Sequence, residues 1–166
     1  DGIDYDAKFV FEAVGYNVEG SEIGAAFGLE QLKKLQQNIL TRKNNFKRQC
    51  DFFNQYKQYF SNPVETDNIN TAWLAFPILI NENAPFSRKE FQIYLEKRNI
   101  QTRVVFTGNI IRQPMMKGVK YKTTDQGYPN SDAVMERGVL LPIHHGLTDK
   151  MFERLHKTID EFIENF

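Results

Sequence analysis

Apolar and polar positions alternate along this chain with two different periods. Residues 1–20 show no clear period: Asp1, Gly2, Asp4 and Asp6 precede a short apolar patch at Phe9–Phe11, and Gly15-Tyr16-Asn17 follows. This reads as an irregular or extended lead-in. From Ser21 the spacing becomes helical. Ser21 is a good N-cap, and Glu22 suits the positive end of a helix. Ile23, Ala26 and Phe27 share one face, and Leu32, Leu35, Ile39, Phe46, Cys50 and Phe53 continue it in steps of helical spacing. The opposite side carries Lys33, Lys34, Arg42, Lys43, Lys47 and Arg48. The pattern predicts one very long helix, or two with a bend, ending at Ser61-Asn62-Pro63.

Beyond the helix the segments shorten. Trp73–Ile80 is apolar and bounded by polar loops, which predicts a buried strand, and Pro77 within it predicts an edge position or a bulge. Ser87 and Glu90 have capping-box spacing, opening a helix that packs Phe91, Tyr94 and Leu95 and stops near Asn99. Thr102–Phe106 is β-branched and apolar, a second strand. Residues 107–129 form a long loop rich in Gly, Pro, Lys and Tyr, of a length usually reserved for function. Asn130 or Ser131 then caps a short helix that Gly138 breaks, Val139–Ile143 is a third strand, and Thr148 caps a terminal helix with Met151, Leu155, Ile159, Phe162 and Ile163 on one face. The order predicts an α+β fold: a long helix and a small sheet covered by helices.

Composition narrows the function. Twenty-one basic residues balance 21 acidic ones, which argues against nucleic acid or an acidic membrane as partner. The single cysteine, Cys50, cannot close an internal disulfide, and no apolar run is long enough to span a bilayer, so a cytoplasmic location is the expectation. Fourteen phenylalanines imply a Phe-heavy core, or apolar surface turned toward a further domain.

Motifs for phosphate loops, zinc and serine nucleophiles are absent from the sequence. His144 and His145 are adjacent, so on a strand they would point to opposite faces and would not share a metal. A histidine just past a strand end still suits a binding site. Thr107–Pro114 combines Gly108, the amides of Asn109 and Gln113, and Arg112, whose fork suits a phosphate. With Lys117, Lys120 and Lys122 nearby, this loop reads either as an anion site or as an ordinary polar loop.

Three stretches carry a resemblance. Gly15-Tyr16-Asn17 with Glu22–Leu32 resembles a signature of the DegT/DnrJ/EryC1/StrS sugar-nucleotide aminotransferase family. Thr102–Phe106, Gly108-Asn109, Arg112-Gln113-Pro114 and Lys117–Tyr121 resemble its sugar 3-dehydratase branch, and Gly146-Leu147-Thr148-Asp149 resembles the family's close before the last helix. Val105-Phe106 is closer to the dehydratases, whereas His144-His145-Gly146 stands where those enzymes tend to have an aromatic residue and a proline.

The resemblance implies the small C-terminal domain of the aspartate-aminotransferase fold (pyridoxal-phosphate fold type I), with residues 1–20 as a lead-in from a large domain and 21–166 as the small domain. It implies pyridoxal phosphate as cofactor, a nucleotide-linked 4-keto sugar as substrate, and a homodimer. The catalytic lysine, or the histidine that replaces it in dehydratases, would lie upstream of Gly15, so the 166 residues alone would be inactive. Asn17 would help hold the partner subunit's cofactor phosphate, and Arg103, Asn109, Arg112 and one of His144 or His145 would contact substrate. Transamination and dehydration both remain open. A different class of reading is a non-catalytic domain that binds a partner protein through its basic-faced helix.

Overall fold

The structure, a computed structural model, describes residues 2–15 and 20–166. The sheet sits at its centre. Strand β2 (Phe76–Ile80) alternates cleanly: Phe76, Ile78 and Ile80 are buried, while Pro77 and Leu79 are half-buried. It pairs antiparallel with β1 (Phe60–Ser61) on one side and β3 (Gly138–Leu141) on the other. The strand order is β1-β2-β3.

Pro77 therefore lies in the middle strand rather than on the edge strand the sequence suggests. Its missing N–H costs no ladder bond, for two reasons. The two-residue β1 reaches only Leu79 and Ile80, so the flank beside Pro77 is open. Its β3 partner Leu140 commits both backbone groups to Arg103 on the far side, at 3.1 and 2.7 Å. The strand also starts later than expected, because Trp73 instead stacks on Phe46 at 5.2 Å and donates to Glu65 Oε1 at 2.8 Å.

Three helices cover the inner face of the sheet, while α1 (Glu22–Leu32) buries no residue against it. Helices α1 and α2 (Leu35–Phe53) are the bent version of the long helix, broken at Lys33-Lys34. Phe46, Gln49 and Phe53 of α2 are buried. Helix α3 (Arg88–Glu96) opens on the Ser87–Glu90 capping box and buries Phe91 and Leu95. Helix α5 (Asp149–Ile163) opens on Thr148, whose hydroxyl accepts from Met151 N, and buries Phe152, Leu155, Ile159 and Phe162. The phenylalanines meet one another: Phe53 lies 5.1 Å from Phe60, and Phe91 lies 5.3 Å from Phe162, centroid to centroid. Each such side chain contributes roughly 1.5–3 kcal/mol by leaving water.

Helix α4 (Pro129–Arg137) starts at Pro129, with Tyr128 preceding it and no side-chain cap, not at Asn130 or Ser131 as expected. Proline's fixed φ and missing donor suit that first position. The strand expected at Thr102–Phe106 reduces to one bridge, Arg103 to Leu140. Phe106 has φ +47° and Gly108 has φ +60°, so the chain turns away from the sheet. A Cβ at Gly108 would stand 2.5 Å from Met135 Cβ, so only glycine fits there.

The lead-in is tied to this turn. Tyr5 donates its hydroxyl to Phe106 O at 2.7 Å and to Val105 O at 3.2 Å. Arg88, nearly buried, donates to Asp4 O at 2.5 Å and Glu136 O at 2.8 Å, with its guanidinium 5.5 Å from the Tyr5 ring centre. Among the described residues, no helix is long and apolar enough to cross a membrane.

Candidate functional site

The outer face of β3 does not meet a covering helix along its whole length. An open groove of about 810 Å³ runs there, between the 73–77 stretch, the 99–106 stretch, the turn after β3 and the start of α5. Its walls are apolar, among them Trp73, Val105, Phe106, Leu140 and Phe152. Its polar lining residues are Asn99, Gln101, Arg103, His144 and Arg154, of which the two arginines carry charge. An apolar trough with a few convergent polar groups is the usual form of a small-molecule site.

Arg103, His144 and Arg154 are each held by a different device. The Arg103 backbone is clamped by its two bonds to Leu140, and its side chain makes no hydrogen bond or ion pair among the described residues. His144 follows β3, and its Nδ1 accepts from Gly146 N at 3.2 Å. Arg154 projects from α5 and donates from Nη2 to Arg98 O at 2.7 Å. Phe106 stands at the rim, in a left-handed conformation rare for an aromatic residue. Tyr5 stabilises that conformation as donor, and burial pushes its hydroxyl up to about 12, so it stays protonated.

The other residues singled out from the sequence go elsewhere. Asn109 is 3% exposed. Its Oδ1 accepts from Ile111 N at 3.2 Å, and its Nδ2 donates to Asp132 Oδ1 at 2.6 Å. Arg112 places its fork on the same carboxylate, with Nη2 2.7 Å from Oδ2 and Nε on Oδ1. Hydrogen bonds from Arg112 and Asn109 hold the Asp132 carboxyl down at about 2, and the same pairing raises Arg112. The 107–129 loop thus closes on α4 through an ion pair, and neither Asn109 nor Arg112 lines the groove. His145 is exposed and lies outside the groove lining. Asn17 lies outside the described residues.

Sequence reasoning missed Arg154. The available signal was weak: Met151, Arg154 and Leu155 fall on one stripe of α5 and all line the groove. Cys50 behaves as the packing residue its position suggests, with burial raising its thiol to about 11. Among the described residues, no cluster of three His, Cys, Asp or Glu could hold a metal.

Known proteins share this architecture and sequence. The chain is 35% identical over 159 residues to dTDP-4-dehydro-2,6-dideoxy-D-glucose 3-dehydratase of Saccharopolyspora spinosa, covering 96% of this chain and 34% of that protein. It is 30% identical over 158 residues to the lipopolysaccharide biosynthesis protein RfbH of Salmonella typhimurium, covering 95% of this chain and 36% of that protein. The chain therefore spans about a third of the length of these curated relatives. The solved E. coli GDP-4-keto-6-deoxy-D-mannose-3-dehydratase with bound hydrated PLP superposes with a TM-score of 0.74 at 26% identity, over 91% of this chain and 38% of that one. The α+β architecture expected from the order of elements, and the aspartate-aminotransferase type of fold expected from the resemblance, are thus the ones found. The pattern of the DegT/DnrJ/EryC1/StrS aminotransferase family matches residues 1–160, and the chain belongs to that family.

Proposed function

We propose that this chain is the substrate-facing small domain of a pyridoxal-phosphate enzyme that removes the C3 hydroxyl from a nucleotide-linked 4-keto-6-deoxy sugar. The observation that carries this reading is the apolar groove with Arg103, His144 and Arg154 in its lining. Arginines suit a diphosphate, and the aromatic walls suit a base or a sugar face. The 35% identity to a 3-dehydratase supports this reaction over others in the family.

The groove lining holds no lysine and no carboxylate among the described residues, which supports a reading in which another part of the enzyme carries the cofactor. In this reading the cofactor supplies the electron sink from a large domain, where a catalytic histidine or lysine also lies, and Asn17 reaches a partner subunit's cofactor phosphate in a homodimer. Arg103 and His144 bind and orient the sugar nucleotide. Arg112 and Asn109 serve the same reading as braces of the loop, since Asp132 occupies the Arg112 fork. Transamination of the same ketone is the second reading, favoured by the family's description.

The complete enzyme carrying Arg103→Ala is expected to raise KM for a nucleotide-linked 4-keto-6-deoxyhexose by about tenfold or more with a smaller effect on kcat, as loss of a charged hydrogen bond implies. An unchanged KM would remove Arg103 from the site. Product analysis separates the reactions: a 3-deoxy sugar supports dehydration, an amino sugar transamination. The 166-residue chain alone, incubated with pyridoxal phosphate and borohydride, is expected to yield no stoichiometric adduct; a one-to-one adduct at one lysine would place the cofactor in this chain.

A further inference from the structure

We propose that the imidazole of His144, in its neutral form, is the Nε2–H tautomer, a hydrogen-bond donor to an oxygen of the ligand in the groove, and that Asn45 of α2 is its positioning residue. The identity of the ligand rests on the function proposed above; the tautomer and its positioning rest on geometry alone.

The ring is fixed from its own turn. Gly146 N–H donates to His144 Nδ1 at 3.2 Å. A ring nitrogen that accepts has its lone pair engaged, so the proton of the neutral ring sits on Nε2. Gly146 makes the approach feasible: a Cβ there would stand 3.2 Å from Nδ1 and 3.4 Å from Cε1. Such contacts are tighter than side chains normally accept, so an alanine would displace the ring or the turn.

The turn is fixed from behind. Asn45 donates Nδ2 to both Ile143 O and His144 O, each at 3.2 Å. One turn further along α2, Gln49 donates Nε2 to Pro142 O at 3.4 Å. Gln49 is fully buried, and since Pro142 O can only accept, the amide nitrogen faces that carbonyl and Oε1 faces His156 Nε2 at 2.9 Å. Three successive carbonyls are therefore gripped by a helix anchored in the core through Phe46 and Phe53. Two side-chain amides on three successive carbonyls leave the turn little room to rotate His144 out of the groove. An Nε2–H donor beside Arg103 and Arg154 adds direction to the groove, which suits a hydroxyl or a phosphate oxygen.

Nitrogen NMR of the full chain with labelled histidine, at alkaline pH, reads the tautomer directly, with His144→Gln assigning the signals. An unprotonated Nδ1 and a protonated Nε2 are expected. The opposite tautomer, or an equal mixture, would overturn the proposal. Asn45→Ala is expected to mix the tautomers of His144 while His156 keeps its signals; an unchanged His144 would remove Asn45 from the role. Should that variant fail to fold, Gly146→Ala, which leaves α2 untouched, is expected to shift the same resonances.

In the complete enzyme, a glutamine amide places an N–H near the position of Nε2, and an asparagine amide does not. His144→Gln should keep kcat/KM within about threefold, whereas His144→Asn should lose about tenfold, mostly in KM. Equal losses would sink the ligand contact while leaving the tautomer standing. An absence of activity in the unsubstituted enzyme would instead strike the function proposed above.

Discussion

His156 shows how one side chain makes this fold sensitive to acid. Its ring stacks on Phe52 at 3.8 Å with 5° between planes, and Phe152 meets it edge-on at 5.9 Å. Burial, with the nearby Arg48 charge adding to it, pulls its pKa from 6.5 down to about 4. Between those values the unfolded chain binds a proton that the folded chain refuses. Stability therefore falls as pH drops from about 6.5 to about 4 and levels off below. The full effect is present above the unfolded value and lost by pH 4. Residual solvent access discounts it to on the order of 2 kcal/mol. Urea midpoints at pH 7 and pH 4.5 are expected to differ, and His156→Phe should flatten that difference; an equal slope in the variant would assign the acid sensitivity to carboxylates. No local pattern in the sequence marks His156, because Phe52 and Gln49 reach it from a helix about a hundred residues away in the chain.

Elements whose boundaries are set by neighbours in sequence were legible, and elements set by distant contacts were not. Ser87 and Thr148 open their helices as read, since a cap is a contact across three residues. The strand at 102–106 was misread because β-branched composition says nothing about Tyr5, which bonds the carbonyls of Val105 and Phe106 from about a hundred residues upstream. Arg88 is the matching case for the lead-in. Its head joins residue 4, α3 and the end of α4 through Asp4 O, Gln92 Oε1 and Glu136 O. Arg88→Leu should destabilise the chain by roughly 1–3 kcal/mol, because the buried guanidinium's hydrogen bonds to the Asp4 and Glu136 carbonyls are lost. The same variant should expose residues 4–11 to protease first, since Lys8 is the nearest tryptic site in that stretch. Cleavage elsewhere at the same rate would show that Arg88 does not hold the lead-in.

At the scale of the whole molecule, the Phe-heavy composition offered two readings, and both describe part of the chain. Half of the phenylalanines fill the core between the sheet, α2, α3 and α5. The groove is only half legible in the sequence: Arg103 lies within a strand-like segment and His144 just after one, but nothing local brings Trp73 and Arg154 to them. The other reading, apolar surface, holds for α1. Ile23 is 84% exposed, Phe27 67% and Leu32 62%, and no residue of α1 is buried. Apolar side chains lie around the whole helix rather than along one stripe, the composition of a helix built to be covered. Within this chain they bury little, so replacing Ile23, Phe27 and Leu32 with serine should shift core stability by less than about 0.5 kcal/mol each. Exposed in water, the same residues form a patch of the kind that drives association. Sedimentation of the 166-residue chain should therefore show concentration-dependent self-association that the triple variant relieves, with its thermal midpoint little changed. A fall of many degrees in that midpoint would mean that α1 packs on its own chain, and the exposed face would then have to be reassigned to the core.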